Sequence, residues 1–198
     1  MNTIDILAII SLVIFYTFMI GRILLLYKKG VKVWVIGDKS KKLLEKIIEI
    51  SLVPVLIVWS AFVIIIALHI ELPPIVSNYL INVLWLKYIG ILFCYTGLII
   101  FFFALVSFGR AWRIGIDEKN SNELITTGIF KYSRNPIFVF MGLYFSGITL
   151  IYPNIIFTVL TILTIAGIHV QILNEEQFLQ KRFGEEYIKY KKQTRRYL

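Results

Sequence analysis

Residues 84–108 read LWLKYIGILFCYTGLIIFFFALVSF, and Lys87 is the only charged residue in this run of 25. At the rise of ~1.5 Å per residue of an α-helix, such a run is about long enough to cross the ~30 Å hydrocarbon core of a bilayer. Strands of a membrane β-barrel instead alternate apolar and polar residues over shorter segments. The stretch therefore predicts a membrane-spanning helix and decides the fold class.

The rest of the chain shares this character, since 58% of its 198 residues are hydrophobic and the mean hydropathy is +0.78. We predict an all-α fold: a polytopic membrane bundle of about five transmembrane segments that includes a helical hairpin and ends in a cytoplasmic C-terminal amphipathic helix. The predicted segments are 4–27, 47–70, 84–108, 136–151 and 155–173. No internal repeat is visible, so residues 1–198 are predicted to form one domain, with N-terminal helices over 1–83.

The net charge of +9 comes mostly from alternate loops. Lysine and arginine number eight in 22–46, none in 71–83, five in 109–135 and seven in 174–198. Because positively charged loops stay in the cytoplasm, the two basic loops and the tail are predicted to be cytoplasmic and the N-terminus outside. Nucleic-acid binding is rejected, since these residues lie between apolar spans, where anionic lipid headgroups attract them.

Metal chemistry and nucleotide-binding folds find no support in the sequence. Cys94 is the only cysteine, and His69 and His169 fall on opposite sides of the predicted membrane, so no metal site is predicted. We expect His69 at the outer interface and His169 facing the interior of the bundle, with a role in a ligand pocket as the alternative for His169. No Walker A, GxSxG or strand-linked GxGxxG pattern occurs, so a nucleotide-like cofactor would have to be held by helices and loops at the membrane edge.

A polar corner interrupts the apolar pattern within residues 128–140, GIFKYSRNPIFVF. Pro136 suits the first turn of a helix, and Asn135 suits the N-cap, where its side chain can accept from a free backbone amide. Arg134 is expected at the membrane interface, within reach of lipid phosphates. The corner is interpreted as a capped helix entry, with the wall of a ligand pocket as the alternative.

Two adjacent acids, Glu175 and Glu176, follow the last predicted span. Gln171 lies four residues before Glu175, so both fall on one helix face. Leu179 and Phe183 continue that face at the same spacing. Paired carboxylates at an anionic membrane surface suit a cationic ligand or a nearby arginine. The alternative is a solvated acidic edge on an interfacial helix.

Taken together and in this order, these stretches resemble the membrane methyltransferase family of isoprenylcysteine carboxyl methyltransferase and the phospholipid N-methyltransferases. The resemblance rests on LITTGIF at 124–130, RNP at 134–136, EEQFL at 175–179 and FGEEYIKY at 183–190. It extends over about residues 84–198, which are therefore predicted to be the catalytic region.

The resemblance implies an S-adenosylmethionine-dependent methyltransferase with its cofactor on the cytoplasmic side and a lipid-like or prenylated acceptor that enters from the bilayer. It implies carboxyl O-methylation as in isoprenylcysteine carboxyl methyltransferase, with phospholipid N-methylation as the alternative. The residues implicated in cofactor binding are Asn122, Glu123, Leu124, Ile125, Phe130, Asn135, Pro136, Ile137, Phe138 and Glu175. Those implicated in catalysis are Glu175, Arg134 and Gln171. The carboxylate of Glu175 would face the ammonium of the methionine portion.

The sequence departs from the family pattern at two positions. Asn135 stands where the family usually has histidine, and an amide cannot act as a general base. Gln171 stands where the eukaryotic carboxyl methyltransferases place an arginine that faces the substrate. A neutral amide suits a neutral or less charged acceptor, so carboxyl methylation of a prenylated cysteine fits this chain less well.

Two other classes of function stay open on the sequence. An NADPH-dependent membrane lipid or sterol reductase would share a similar corner and the FG-x-x-Y tail, but the adjacent acids and the TTGIF segment favour the methyltransferase. A non-catalytic integral membrane protein is disfavoured, because the polar motifs concentrate on one predicted face of the membrane.

Single-cysteine labelling tests the predicted topology, in a background where Cys94 is replaced by alanine. A cysteine at Ser77 is expected to react with a membrane-impermeant maleimide in intact cells, and one at Ser121 only after permeabilisation. The reverse labelling pattern would overturn the predicted orientation.

Overall fold

The computed structural model describes residues 1–31, 33, 43–109, 112 and 124–198, which are mostly helical. The helices are α1 (Thr3–Lys28), α2 (Leu43–Ala67), α3 (Pro74–Ser77), α4 (Leu84–Phe108), α5 (Pro136–Ile151), α6 (Ile155–Phe183) and α7 (Glu185–Gln193), with a 3-10 turn at Gly128–Lys131. These described segments contain no β-strand, only an isolated bridge between Ser133 and Arg195. The all-α prediction is confirmed.

Three helices in the described part of the chain, α1, α4 and α6, are long and apolar enough to cross a membrane. Two further apolar helices are shorter, namely Val53–Ala67 within α2 and the whole of α5. The bounds of α5 are those predicted, and the hairpin turn lies between α5 and α6 as expected. That all five segments cross the bilayer stays a prediction.

The last predicted span and the start of the polar tail form one continuous helix. The 29 residues of α6 comprise an apolar segment, 155–173, and a polar extension, 174–183. Asn154 is the N-cap of this helix, and its side chain accepts a hydrogen bond from the amide of Phe157 at 2.9 Å. Because α6 does not break where its apolar segment ends, the acids just beyond that point are rigidly connected to the bundle.

Close packing of α4 on α5 depends on glycine. A Cβ on Gly147 would lie 2.7 Å from Sγ of Cys94 and 2.7 Å from the carbonyl oxygen of Gly90. Two turns along α4, a Cβ on Gly97 would lie 3.2 Å from the carbonyl oxygen of Phe140. Small residues let backbones approach in a bilayer, where the hydrophobic effect adds little to helix association and packing must supply the attraction.

Aromatic rings fill the space between α1, α4 and α5. Phe101 stacks on Phe140 with ring centroids 4.4 Å apart, and Phe15 contacts these two rings at 5.7 and 5.6 Å. Tyr144 continues the group, and its buried hydroxyl group lies 3.1 Å from that of Ser11. The rings supply packing area, and the one polar atom among them has a hydrogen-bond partner.

Polar contacts fasten the two ends of the bundle. At one end the buried carboxylate of Asp5 accepts from the hydroxyl group of Tyr152 at 3.1 Å and pairs with Nε2 of His69 at 3.0 Å. At the other end Arg22 donates a hydrogen bond to the carbonyl of Gly109. The C-terminal ends of α1 and α4 therefore lie together, as the charge pattern of the loops predicts.

Gly147→Ala is expected to lower the melting temperature of the detergent-solubilised protein, because the added methyl group would meet backbone atoms of α4 that cannot move aside. The expected loss is roughly 1–3 kcal/mol of unfolding free energy. Gly142→Ala is the matched control on the same helix, since a Cβ there meets nothing within 4 Å. The control should be neutral or stabilising by up to about 1 kcal/mol. Equal effects of the two variants would contradict the close approach of the helices.

Candidate functional site

The 3-10 turn before α5 is fixed against the end of α4. Gly128 has a φ of 64°, in the left-handed region, and a Cβ there would overlap the hydroxyl group of Ser107. That hydroxyl group accepts from the amide of Ile129 at 3.2 Å. The ring of Phe130 packs edge-on against Phe108, with centroids 4.7 Å apart. The end of the LITTGIF segment is therefore held on α4.

The FGEEYIKY segment attaches α7 to the same turn. Gly184 has a φ of 51° and lets the chain change direction between α6 and α7. Tyr187 and Tyr190, three residues apart on α7, are 1% and 7% exposed. The hydroxyl group of Tyr190 donates to the carbonyl of Phe130 at 2.7 Å. Both tyrosines of the motif are thus buried, and one of them bonds the backbone of the turn.

The last five residues, 194–198, form a C-terminal strap that runs along the polar corner. The amide of Arg134 donates to the carbonyl of Arg195 at 2.9 Å, and Nδ2 of Asn135 donates to the carbonyl of Arg196 at 3.0 Å. Asn135 occupies the N-cap position of α5 as predicted, but within the described segment its side chain makes no capping bond. The predicted role of that side chain is wrong, because its amide binds the strap instead.

One carboxylate joins the corner, the strap and α6. Glu176 accepts from Arg196 in a bidentate pair, with contacts of 2.8 and 3.1 Å, and from Nη2 of Arg134 at 3.1 Å. The side chains of Arg134 and Glu176 are 7% and 6% exposed, and that of Arg196 is 33% exposed. The expected position of Arg134 at lipid phosphates is wrong, because its guanidinium group points inward to Glu176. These three residues are called the ionic cluster below.

The neighbouring Glu175 has a different environment. It makes no ion pair and no side-chain hydrogen bond with any residue that the structure describes. Burial of the carboxyl group, and secondarily the charge of Glu176, raise the pKa of Glu175 to about 7, although part of the residue stays exposed. The two acids therefore differ: arginines neutralise Glu176, and Glu175 has no charged partner among the described residues.

Several buried polar atoms near these carboxylates lack a hydrogen-bond partner among the described residues. They are Nε and Nη1 of Arg134, Oε1 of Gln171 and Oη of Tyr187. Burial, followed by the charge of Glu176, raises the pKa of Tyr187 to about 12, so its hydroxyl group stays protonated at neutral pH. A buried polar group without a partner costs about 1–3 kcal/mol, and such groups are expected where a ligand or an ordered water binds.

The residues predicted to bind a cofactor occupy both sides of the corner. Four are half-buried: Leu124, Ile125, Ile137 and Phe138. Three are buried: Phe130, Asn135 and Pro136. Asn122 and Glu123 lie outside the described residues. The three residues predicted to be catalytic, Arg134, Gln171 and Glu175, lie at the ionic cluster or within about one and a half helical turns of it along α6.

Helical periodicity in the sequence identified the polar face of α6 only in part. Gln171 is buried, but Glu175 is half-buried, and the more deeply buried neighbours are Ile172 and Glu176. Sequence reasoning therefore missed the pairing of Glu176 with the corner, and it missed Arg196 altogether. The only hint of Arg196 was its place in a basic C-terminal tail, which positive loop charge explained equally well.

His169 does not face the interior of the bundle, so that prediction is wrong. It is exposed on α6, and its Nδ1 lies 2.7 Å from the hydroxyl group of Tyr197 on the strap. The contact depends on the path of the last five residues, which helical periodicity along α6 does not reveal.

Comparison with known families covers the region that contains this site. A family model described as phospholipid methyltransferase matches residues 85–186, just over half of the 198-residue chain. The match begins in α4 and ends in α7, so it includes the 3-10 turn, the corner, the hairpin and both glutamates. No curated protein sequence matches the chain.

Replacement of Glu176 and replacement of Glu175 by glutamine should affect the stability of the protein differently. Glu176→Gln leaves the buried guanidinium group of Arg134 without a charged partner, so the expected loss is roughly 3–5 kcal/mol, nearer the lower bound because Arg196 is 33% exposed. Glu175→Gln should be neutral or stabilising at about pH 8. The raised pKa of Glu175 means that its ionised form disfavours folding above its usual pKa, and the amide removes that penalty.

Thermal unfolding in detergent measures both effects. The adjacent positions on one helix make each variant the control for the other. Similar melting temperatures for the two variants would contradict the different environments of the two carboxylates.

Proposed function

Because this chain belongs to the phospholipid methyltransferase family, a family of integral membrane methyltransferases, we propose that it transfers a methyl group from S-adenosylmethionine to a lipid-like acceptor. The observation that carries the proposal is that one site holds a carboxylate without a partner among the described residues, Glu175, and two buried N–H donors without a partner, on Arg134. The NADPH-dependent reductase has no comparable support, since the family match favours methyl transfer.

The polar atoms of the site fit the two charges at the amino-acid end of the cofactor. Its ammonium suits the carboxylate of Glu175, and its carboxylate suits Nε and Nη1 of Arg134, which have no partner in the described residues. Glu176 cannot serve the ammonium in the same way, because two arginines already neutralise it. Glu175 is therefore proposed as the residue that binds the methionine portion.

The segments on either side of the corner are proposed to enclose the rest of the cofactor. Half-buried apolar residues there offer partly exposed surface to an adenine ring: Leu124, Ile125, Ile137 and Phe138. Asn122, Glu123, Phe130, Asn135 and Pro136 remain proposed cofactor residues on the family resemblance. Phe130 and Asn135 are engaged by α7, α4 and the strap, so their proposed role is to hold the wall in place.

The chain is proposed to contribute to the reaction mainly by positioning the cofactor and the acceptor. When bound, S-adenosylmethionine supplies an activated methyl group on a sulfonium centre. Displacement at such a centre needs alignment of the acceptor and exclusion of water more than it needs an acid or a metal. Arg134 and Glu175 would orient the cofactor, and the apolar residues beside the corner would keep water out.

The acceptor is proposed to be a phospholipid amine, with a prenylated carboxylate as the alternative. Gln171 presents a buried oxygen, Oε1, without a partner among the described residues. A phospholipid amine attacks as its free base, after its ammonium proton has passed to solvent, and its N–H groups can donate to this oxygen. An ionised carboxylate has no N–H or O–H group to donate. The description of the family points to the same class of acceptor. The reaction is proposed to take place at the cytoplasmic face, where the charge pattern of the loops predicts this end of the bundle to lie.

Calorimetric titration of the detergent-purified protein is expected to show saturable binding of S-adenosylmethionine and S-adenosylhomocysteine, and none of NADPH. Affinity should fall as the pH drops through about 7, because the ammonium needs the ionised form of Glu175. Well below the pKa of Glu175, the affinity is expected to fall about tenfold for each pH unit. Glu175→Gln should bind weakly with no such pH dependence, and Glu186→Gln, which changes an exposed acid on α7, should behave as the wild type.

Binding of NADPH alone would refute the proposed function in favour of a reductase. Unchanged affinity in Glu175→Gln would refute the role of that residue. Transfer of labelled methyl groups to vesicles that contain phosphatidylethanolamine, compared with a prenylated cysteine analogue, distinguishes the two acceptors.

A further inference from the structure

The C-terminal strap contacts α6 at two places that are about two turns apart. Arg196 forms its bidentate pair with Glu176, and the hydroxyl group of Tyr197 lies 2.7 Å from Nδ1 of His169. The backbone of the strap is also bonded to the amide of Arg134. The end of the chain therefore ties α6 to the entry of α5, at the position of the proposed cofactor pocket.

Arg196 changes the electrostatic balance between the two adjacent glutamates. Without it, Arg134 alone would compensate two carboxylates on consecutive residues of α6. With it, Glu176 receives three charge-assisted contacts, and Glu175 receives none from the described residues. Bidentate arginine–carboxylate pairs are strong and geometrically specific, so the second arginine fixes Glu176 in one orientation.

We propose that Arg196 is a positioning residue for the cofactor pocket. It neutralises Glu176 and fixes it on Arg134, so that Glu175 is the carboxylate left for the cationic group of the ligand. Arg196 does not touch the ligand and acts through Glu176. The inference rests on the proposed function, because it takes the cationic group to be the ammonium of the cofactor.

Four elements bring charged or titratable groups to the two glutamates. Glu176 on α6 acts directly on Glu175, and the charges of both acids act on Tyr187 of α7. Arg134 at the corner and Arg196 on the strap contact Glu176. Removal of the charge of Arg196 leaves Glu176 less compensated. The ionised form of Glu175 then becomes less favourable, and its pKa rises above the present value of about 7. Ligand binding that requires ionised Glu175 would then require a higher pH.

The affinity for S-adenosylhomocysteine, measured by calorimetry on the full-length protein in detergent from about pH 5.5 to about pH 8.5, tests this inference. The midpoint of the profile is the pH at which the affinity has fallen to half of its high-pH value. Arg196→Gln is expected to raise this midpoint by about one pH unit. Its affinity should fall about tenfold near pH 6.5 and approach that of the wild type near pH 8.5. Arg196→Lys, which keeps the charge, should restore most of the wild-type profile.

Arg195→Gln is the matched control. It removes the same charge from an exposed neighbour that forms no ion pair with the described residues, so its profile should match the wild type. Arg196→Gln combined with Glu176→Gln removes both charges, and its midpoint should return to the wild-type value or below. The double variant keeps one charge of each sign, on Arg134 and Glu175, so it also decides the question if Arg196→Gln alone, with its surplus negative charge, does not fold. Thermal unfolding in detergent checks its folding, because Arg134 loses its partner in it as in Glu176→Gln.

An unchanged profile in Arg196→Gln, an equal loss of affinity at every pH, or a midpoint of the double variant above the wild type would each overturn the inference. These results are distinct from failure of the proposed function. If the wild type binds neither S-adenosylmethionine nor S-adenosylhomocysteine at any pH, the proposed function fails, and this inference fails with it.

Discussion

The arrangement of the site depends on one buried carboxylate held between two arginines. Glu176 comes from α6, Arg134 from the entry of α5 and Arg196 from the end of the chain. A buried ion pair adds little net stability, because desolvation offsets much of the Coulomb attraction, but an unpaired buried charge is costly. Alternative packings that separate these segments would leave such charges uncompensated. The ionic cluster therefore favours the single arrangement in which all three segments meet.

Helix packing brings those segments within reach of one another. The glycine contacts determine how closely α5 approaches α4. The aromatic group around Phe101 and Phe140 fills the space between these helices and α1. Gly128 then places the 3-10 turn on the end of α4, so the polar corner starts from a fixed position. α6 carries its carboxylates on a continuous helix beyond the apolar segment. The polar chemistry at the edge of the bundle thus rests on apolar packing inside it.

The same site holds groups that folding alone does not satisfy. Arg134, Gln171 and Tyr187 each keep a buried polar atom without a partner among the described residues, and Glu175 keeps an unpaired carboxylate. Such local violations of good packing are typical of functional sites, where a ligand completes the hydrogen bonding. The cofactor proposed for this chain is polar and would have to be held beside a lipid phase. A cluster at the end of the apolar helices suits that requirement.

The all-helical character of the chain follows from its apolar runs, because runs of this length have few stable alternatives in a bilayer. The sequence also predicted the bounds of α5, showed the family resemblance, and indicated Arg134, Gln171 and Glu175 as candidate site residues. Three features became visible only in the folded chain: which acid is neutralised, the bond of Asn135 to the strap in place of a cap on α5, and the inward direction of Arg134. The reason is that helical periodicity specifies which residues share a face but not which distant segment meets that face. The side chain of Arg196 contacts Glu176, 20 residues away in the sequence, and its backbone carbonyl contacts Asn135, 61 residues away. No local sequence pattern encodes contacts at such separations.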